Sequence, residues 1–456
     1  MSPVPRDSTV CLTLAGAVLL AYGNAFWGAF QFDDYKVIVN ATETQAWDAW
    51  LGSLANGYRP LLKLSYLLNH ALGVGTFGTF GFHLFNLLVH GGNTMLVYLL
   101  ALQFGRRCDA ERDWCGPALC AALLFAVHPL HSEAVTYLSG RSASLMTLFY
   151  FAALWTYERS LAPGQYKLRL LSLGLSMLAL LTKESAMLFP LALLAWEWAC
   201  RTPWRVVVQR QWPYWLLFAM AVLVLLVHPK YWTLMWESVQ LRSLHDSFLT
   251  QAYVSVVQAG KLFWPFALNI DPDWAVIKNA DTVWPQLLLI LAAGAAAVYC
   301  RAARPWLSLG LVWLLLHLLP LNTFFPRADI ANERQLYWAD WPMLFALAVE
   351  AGQRLPRRVA VLTLVLLCGV LTATTLARNT IYHSEVALWE DTVAKSPNKA
   401  RVWNNLGYAY QLEGRKADAV RAYCVAIRLN PGHVKAHNNL ARLNGACAPV
   451  AGETMY

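Results

Sequence analysis

Apolar residues along this chain fall into long unbroken blocks rather than the two-residue alternation of a half-buried strand or the stripe of a surface helix. Runs of about 15 to 22 apolar residues occupy 9–30, 82–104, 116–131, 142–158, 168–182, 186–200, 212–228, 284–300, 306–320, 336–350 and 358–377. Roughly 20 helical residues cross a hydrocarbon core, so each run predicts a membrane-spanning helix, eleven in all. The segment 251–268 carries Gln251, Gln258 and Lys261 and is expected to be re-entrant or interfacial. The first run follows Arg6 and ends near Gly23-Asn24-Ala25, a weak cleavage-like signature. It reads as a retained span, because cleavage would detach the helix that presents the acids beyond it.

Composition agrees with this pattern. The chain is 57% hydrophobic and 14% charged, against about half and a quarter in soluble domains. The predicted fold is therefore an all-α, polytopic membrane helix bundle. Arg106, Arg107 and Arg112; Arg159, Lys167 and Arg169; Arg201, Arg205 and Arg210; Arg301 and Arg304; and Arg354, Arg357 and Arg358 all fall on one face if the amino terminus is inside. An odd number of crossings then puts the carboxyl terminus outside, together with the 31–81 loop, His128–His131, Lys183-Glu184, the 229–283 region and the 321–335 loop. The net charge of +9 thus reflects topology. Its dispersion over loops, without a basic patch interleaved with aromatics, argues against a nucleic-acid partner. The nine cysteines show no metal or redox spacing; Cys424 and Cys447 share the outer side, and their spacing does not by itself demand a bond.

After Tyr382 the pattern changes to amphipathic helices. With Ala400 as position 1, Trp403, Leu406, Gly407, Tyr410, Ala419, Tyr423, Ala426 and Pro431 take the places that tetratricopeptide repeats reserve for Trp, Leu, Gly, Tyr, Ala, Phe, Ala and Pro. Pro397 precedes Pro431 by one 34-residue period. The chain divides into a membrane domain, 1–381, and a repeat module, 382–456. The module is expected either to dock a polypeptide or to cap the outer mouth, since so few repeats need a neighbour to cover their open face.

The chemistry concentrates on the outer side. Asp33-Asp34 follow the first span directly, and ionisable pairs at a membrane boundary are costly unless they face water or a substrate. Arg59 and Lys63 lie in the same loop. His83, Asn86 and His90 share one helical face, the expected arrangement for hydrogen-bond glue inside a bundle. His128, His131 and Glu133 lie close in sequence, but Pro129 disfavours their joint presentation to a metal. Arg141 opens the next span, Lys183-Glu184 interrupts an apolar stretch, and Arg327, Glu333, Arg334 and Tyr337 lie in or beside the last large outer loop. The expected site pairs a carboxylate base, Asp33 with Asp34 as its partner, with phosphate-binding cations Lys183, Arg141, Arg334 and Arg327. Arg59, His83, His128, His131, Glu133, Glu184, Glu333 and Tyr337 form its polar rim. Sugar transfer from a lipid phosphate needs such a set: the acid accepts the proton of an acceptor hydroxyl, and the cations stabilise the departing phosphate.

In this order, FDDYKVIV, YRPLLKLSYLLN, GFHLFNLLVH, HPLHSEAVTYLSGR, LLTKES and NERQLYW, followed by repeats, resemble the eukaryotic transmembrane and tetratricopeptide-repeat O-mannosyltransferases and their bacterial relatives, of the GT-C glycosyltransferase superfamily. The resemblance implies an inverting transfer of a hexose, mannose in the eukaryotic members, from a polyprenyl-phosphate sugar to protein hydroxyls, without a required metal. Asp33 matches the superfamily's first-loop acid. The short repeat array leaves a protein or glycan acceptor open, and the compact chain points to a bacterial inner-membrane enzyme facing the periplasm. The alternatives are a transferase or ligase acting on lipid-linked glycan, and a non-enzymatic scaffold displaying repeats.

Overall fold

The computed structural model describes residues 8–73, 78–327 and 329–447; Arg6 and positions 448–456 of the expected repeat module lie outside the described residues. Every one of the eleven apolar runs lies largely in a helix: Ser8–Tyr22, Phe80–Cys108, Cys115–Val127, Arg141–Arg159, Tyr166–Thr182, Phe189–Ala199, Trp204–Val227, Trp284–Cys300, Pro305–Leu318, Trp341–Arg354 and Arg357–Ile381. No strand occurs among the described residues.

Length and apolarity divide these helices. Ser8–Trp27, Phe80–Cys108, Trp204–Val227, Pro305–Phe324 and Arg357–Ile381 are long and apolar enough to cross a membrane alone. Cys115–Val127 and Pro129–Val135 qualify together, bent by 51°. The bend has a local cause: Pro129 has no N–H to continue the ladder and pushes His128 into an extended conformation, ψ 126°. The remaining helices are shorter or carry charged ends; Phe189–Ala199, at 11 residues, spans only about 16 Å at 1.5 Å per residue. Residues 251–268, expected to be re-entrant or interfacial, are helical as far as Lys261. A continuous helix, Leu244–Lys261, buries Ser247, Gln251, Ser255 and Gln258 on one face. Gln251 and Gln258 donate to the carbonyls of Ile330 and Asn332 at 2.9 and 3.1 Å, so the polar residues that spoil this segment as a crossing serve a loop that lacks backbone partners.

One large core, containing Phe104, Trp114, Trp196, Trp313, Trp341 and Phe345, joins the bundle helices. Trp204–Val227 and Arg357–Ile381 lie at the margin, each with only 11% of its most apolar window buried, and expose residues such as Leu362, Val365 and Leu366, the pattern expected of lipid-facing helices. Ion pairs collect at two ends. At one, Arg107 pairs with Glu158 and Glu197, and Arg210 with Glu197; the candidate site occupies the other.

Beyond the bundle come Glu385–Lys395, Ala400–Leu412, Lys416–Leu429 and Val434–Arg442. A β-carbon on Gly407 would stand 2.6 Å from the Tyr423 ring, so only glycine allows the second and third of these helices to approach so closely. Cys424 and Cys447, whose pairing the sequence left open, form a disulfide.

Candidate functional site

Asp33 and Asp34 do not lie in an extended segment. They begin a helical turn that widens into the π-type turn Tyr35–Val39, entered through Phe32, whose φ of 42° is left-handed. A non-glycine residue there costs about 1–3 kcal/mol and persists only when its surroundings impose it. The Phe32 N–H donates to Glu385 Oε1 at 3.1 Å, and its ring packs edge-on against Trp389 at 5.3 Å.

The two acids have different roles. Asp34 is fully buried and accepts hydrogen bonds from the Gln31 N–H at 2.9 Å, the Ser139 N–H at 2.7 Å and the Ser139 hydroxyl at 2.5 Å. Burial raises its pKa to about 7, against the pull of those donors. Asp34 therefore fastens the first loop to the Leu138–Gly140 turn. Asp33 is half-buried; its backbone N–H donates to Tyr137 Oη at 3.1 Å, while its carboxylate has no hydrogen-bond partner among the described residues. Burial raises its pKa, and nearby Arg334 partly offsets the shift.

Arg334 lies beside Asp33, and Arg59, Lys183 and Arg327 cluster with Arg334. Arg59, at the left-handed entry to Pro60–Ala71, forms a two-pronged contact with Glu184 at 2.7–3.1 Å. Burial would raise the Glu184 pKa, but the guanidinium outweighs it and holds the acid at about 2. Lys183 is 5% exposed, and its ammonium makes no hydrogen bond or ion pair among the described residues; it lies 5.0 Å from the centre of the Trp338 ring. Burial, then Arg334, Arg59 and Arg327, drives its pKa well below the usual lysine value. Arg327 is depressed by burial and by the same neighbours. Arg334 is tethered by Glu133, which accepts its backbone N–H at 3.0 Å and lies 3.4 Å from its Nε. Lys63, in the same loop as Arg59, pairs with Glu43 at 3.0 Å.

Arg141, expected among the phosphate-binding cations, is held apart from this cluster by its own hydrogen bonds. It is fully buried and donates to Asn86 Oδ1, Ser65 O, Asn69 Oδ1 and Phe82 O at 2.6–3.2 Å, between the rings of Tyr66 and Phe85, each 4.4 Å away. A cation at a helix N-terminus opposes the dipole; this one has an acceptor at each of its three nitrogens. The neighbouring Gly140 is required sterically, since a β-carbon would meet Glu133 O at 2.0 Å.

Other rim residues also face inward. His83 Nε2 approaches Gly28 O at 3.2 Å, and His128 Nε2 approaches Leu262 O at 3.1 Å. His131 contacts Phe125 O and Asp340, both at 2.9 Å. Tyr337 bonds to His90 and Asn93. Because Phe125 O can only accept, His131 Nδ1 carries a hydrogen, and the Asp340 contact needs one further proton. These side chains hold the bundle together and leave the open site. Glu333 binds Lys261 and the Asn269 N–H, both at 2.8 Å. Among the described residues no group of three or more His, Cys, Asp or Glu is arranged to hold a metal ion. Tyr137, Ser139, Glu385 and Asp329 were not singled out from the sequence. Ser139 and Tyr137 lie within the HPLHSEAVTYLSGR stretch, so a signal was present; Glu385 gave none.

No family model matches the chain. Among curated proteins it is 28% identical to the human protein O-mannosyl-transferase TMTC4, over 90% of this chain and 65% of that protein. It is 26% identical to human TMTC1, over 94% and 56%, and 26% identical to a Caenorhabditis elegans protein O-mannosyl-transferase, over 92% and 63%. The chain thus spans between about half and two thirds of the length of these relatives and, over nearly all of its own length, is similar to proteins named protein O-mannosyl-transferases.

Proposed function

We propose that the chain is an inverting GT-C-type glycosyltransferase that moves a hexose, mannose-like, from a polyprenyl-phosphate sugar to protein hydroxyls. The site and the C-terminal tetratricopeptide-like helices face outward, on the periplasmic side of a bacterial inner membrane. The observation that carries this reading is the half-buried Asp33 carboxylate, without a hydrogen-bond partner among the described residues, beside Arg334, which in turn adjoins Lys183 and Arg327. A hydroxyl oxygen attacks the anomeric carbon while Asp33 takes its proton. The bond from that carbon to the phosphate oxygen breaks, and its electron pair leaves with the phosphate. Arg59 is taken up by Glu184 and Arg334 by Glu133, whereas the Lys183 ammonium has no ion pair among the described residues, which suits a leaving phosphate. The names of the relatives support mannose and a protein acceptor.

The test is transfer of radiolabelled mannose from a polyprenyl-phosphate donor to a Ser/Thr-rich peptide by the purified protein in lipid nanodiscs. Transfer by the parent and its loss in Asp33→Asn are expected. An Asp33→Asn protein as active as the parent would remove the base from this scheme.

A further inference from the structure

The loop that carries Arg327 and Arg334 receives an anchor from outside the bundle. Arg401, in the first turn of Ala400–Leu412, bridges two carboxylates. Its Nε donates to Asp271 Oδ2 at 2.9 Å and its Nη2 to Asp271 Oδ1, and the same Nη2 stands 2.5 Å from Asp329 Oδ1. Asp329 lies two residues after Arg327 and five before Arg334. Lys399 adds bonds to Asp271 Oδ1 at 2.6 Å and Pro272 O at 2.7 Å. Ser396 donates to Asp271 O at 3.0 Å and accepts from Asn269 Nδ2 at 2.9 Å. The 269–272 strip is thus fixed to the C-terminal helices, and Arg401 extends that fixed point to Asp329.

We propose that Arg401 is a positioning residue for the phosphate-binding cations: by holding Asp329 against Asp271 it keeps Arg327 and Arg334 turned toward Lys183. The proposal rests on the reading of that cluster as the phosphate site. Two features favour positioning over a surface ion pair. Asp271 is 6% exposed, so its bonds to Arg401 and Lys399 are shielded from water and geometrically fixed. Four like charges crowded together also repel one another, and an arginine-bearing loop without an anchor would relax away from Lys183.

The experiment measures farnesyl phosphate binding to the full-length protein, alongside the melting temperature and the split between kcat and donor KM. Arg401→Gln is expected to weaken binding by about 2- to 30-fold, the usual range for a coupled position, while kcat at saturating donor is kept and Arg401→Lys recovers part of the affinity. Asp329→Asn should give a similar loss, and the double variant should lose little more than either alone. Lys183→Ala is the reference. If Lys183→Ala weakens binding and Arg401→Gln does not, the positioning role is overturned while the phosphate site stands. If neither weakens it, both readings fall. If Arg401→Gln lowers the melting temperature and kcat with donor affinity unchanged, Arg401 holds the fold alone and the proposal fails.

Discussion

Lys183 and Glu184 are chain neighbours that do not neutralise each other: Glu184 is taken up by Arg59 through hydrogen bonds of 2.7–3.1 Å, which leaves the buried Lys183 ammonium with only a ring face, that of Trp338, beside it. An unpaired buried cation costs stability. Replacing Lys183 with Met is therefore expected to raise the melting temperature while weakening farnesyl phosphate binding by about 10- to 100-fold, the equivalent of roughly 1.5–3 kcal/mol for one charge-assisted contact. A parallel thermal melt and binding titration would show the opposed changes; binding equal to the parent's would take Lys183 out of the site.

Asp33→Asn should fold and bind donor while transferring about 100- to 10,000-fold more slowly. The Asp33 pKa is raised above the ordinary carboxylate value by burial, and a base works only when deprotonated. Transfer by the parent should therefore fall as pH is lowered through a midpoint above 3.8. A rate independent of pH across the acidic range would contradict the assignment.

Asp34→Asn places an amide where three donors converge, and at least one N–H or O–H loses its acceptor. A loss of about 1–3 kcal/mol is expected. The parent's pH dependence has a defined sign. With a folded-state pKa near 7 against 3.8, the Asp34 contribution to stability is full below pH 3.8 and is lost as pH rises through 7. Melting curves between pH 4 and 8 should show this decline in the parent and a flatter profile in the variant.

Arg141→Lys keeps the charge but cannot reach acceptors on Asn86, Ser65, Asn69 and Phe82 together. The expected result is a fall in melting temperature and folded yield, with donor affinity per folded molecule unchanged. A selective loss of donor binding in a normally stable variant would restore Arg141 to the phosphate site.

The proposed orientation has a simple chemical check. Cys424 and Cys447 are bonded in the structure, and such bonds persist in oxidising compartments. Alkylation of membranes with a maleimide polymer, with and without reductant, should reveal two cysteines that react only after reduction. If both react without it, the C-terminal helices face the cytoplasm and the topology is inverted.

The eleven helices were legible because apolar runs of that length have few other stable outcomes. The role of each charge was not. Arg141 and Lys183 look alike in sequence, since both are cations at the edges of apolar runs. Arg141 is saturated because Asn69 and Asn86, 72 and 55 positions away, converge on it, whereas no acceptor converges on Lys183. His131 and Tyr337 were grouped with the pocket for their polarity, yet their partners lie inside the bundle. The glutamines of the 251–268 segment answer carbonyls at Ile330 and Asn332, about 75 residues downstream. Partner choice across such separations leaves no trace in local composition.

The left-handed Phe32 also sets an order of assembly. Gln31 donates its side chain to Tyr382 O, and Phe32 its backbone N–H to Glu385, across 351 and 353 positions of sequence. During synthesis the first loop emerges early, but the groups that stabilise its strained turn are made about 350 residues later. Until the chain beyond Tyr382 has been made and has docked, Tyr137 and Ser139 hold Asp33 and Asp34, but the strained Phe32 turn that leads into them lacks its partners, and a nascent chain already threaded into the membrane carries an incompletely fixed base.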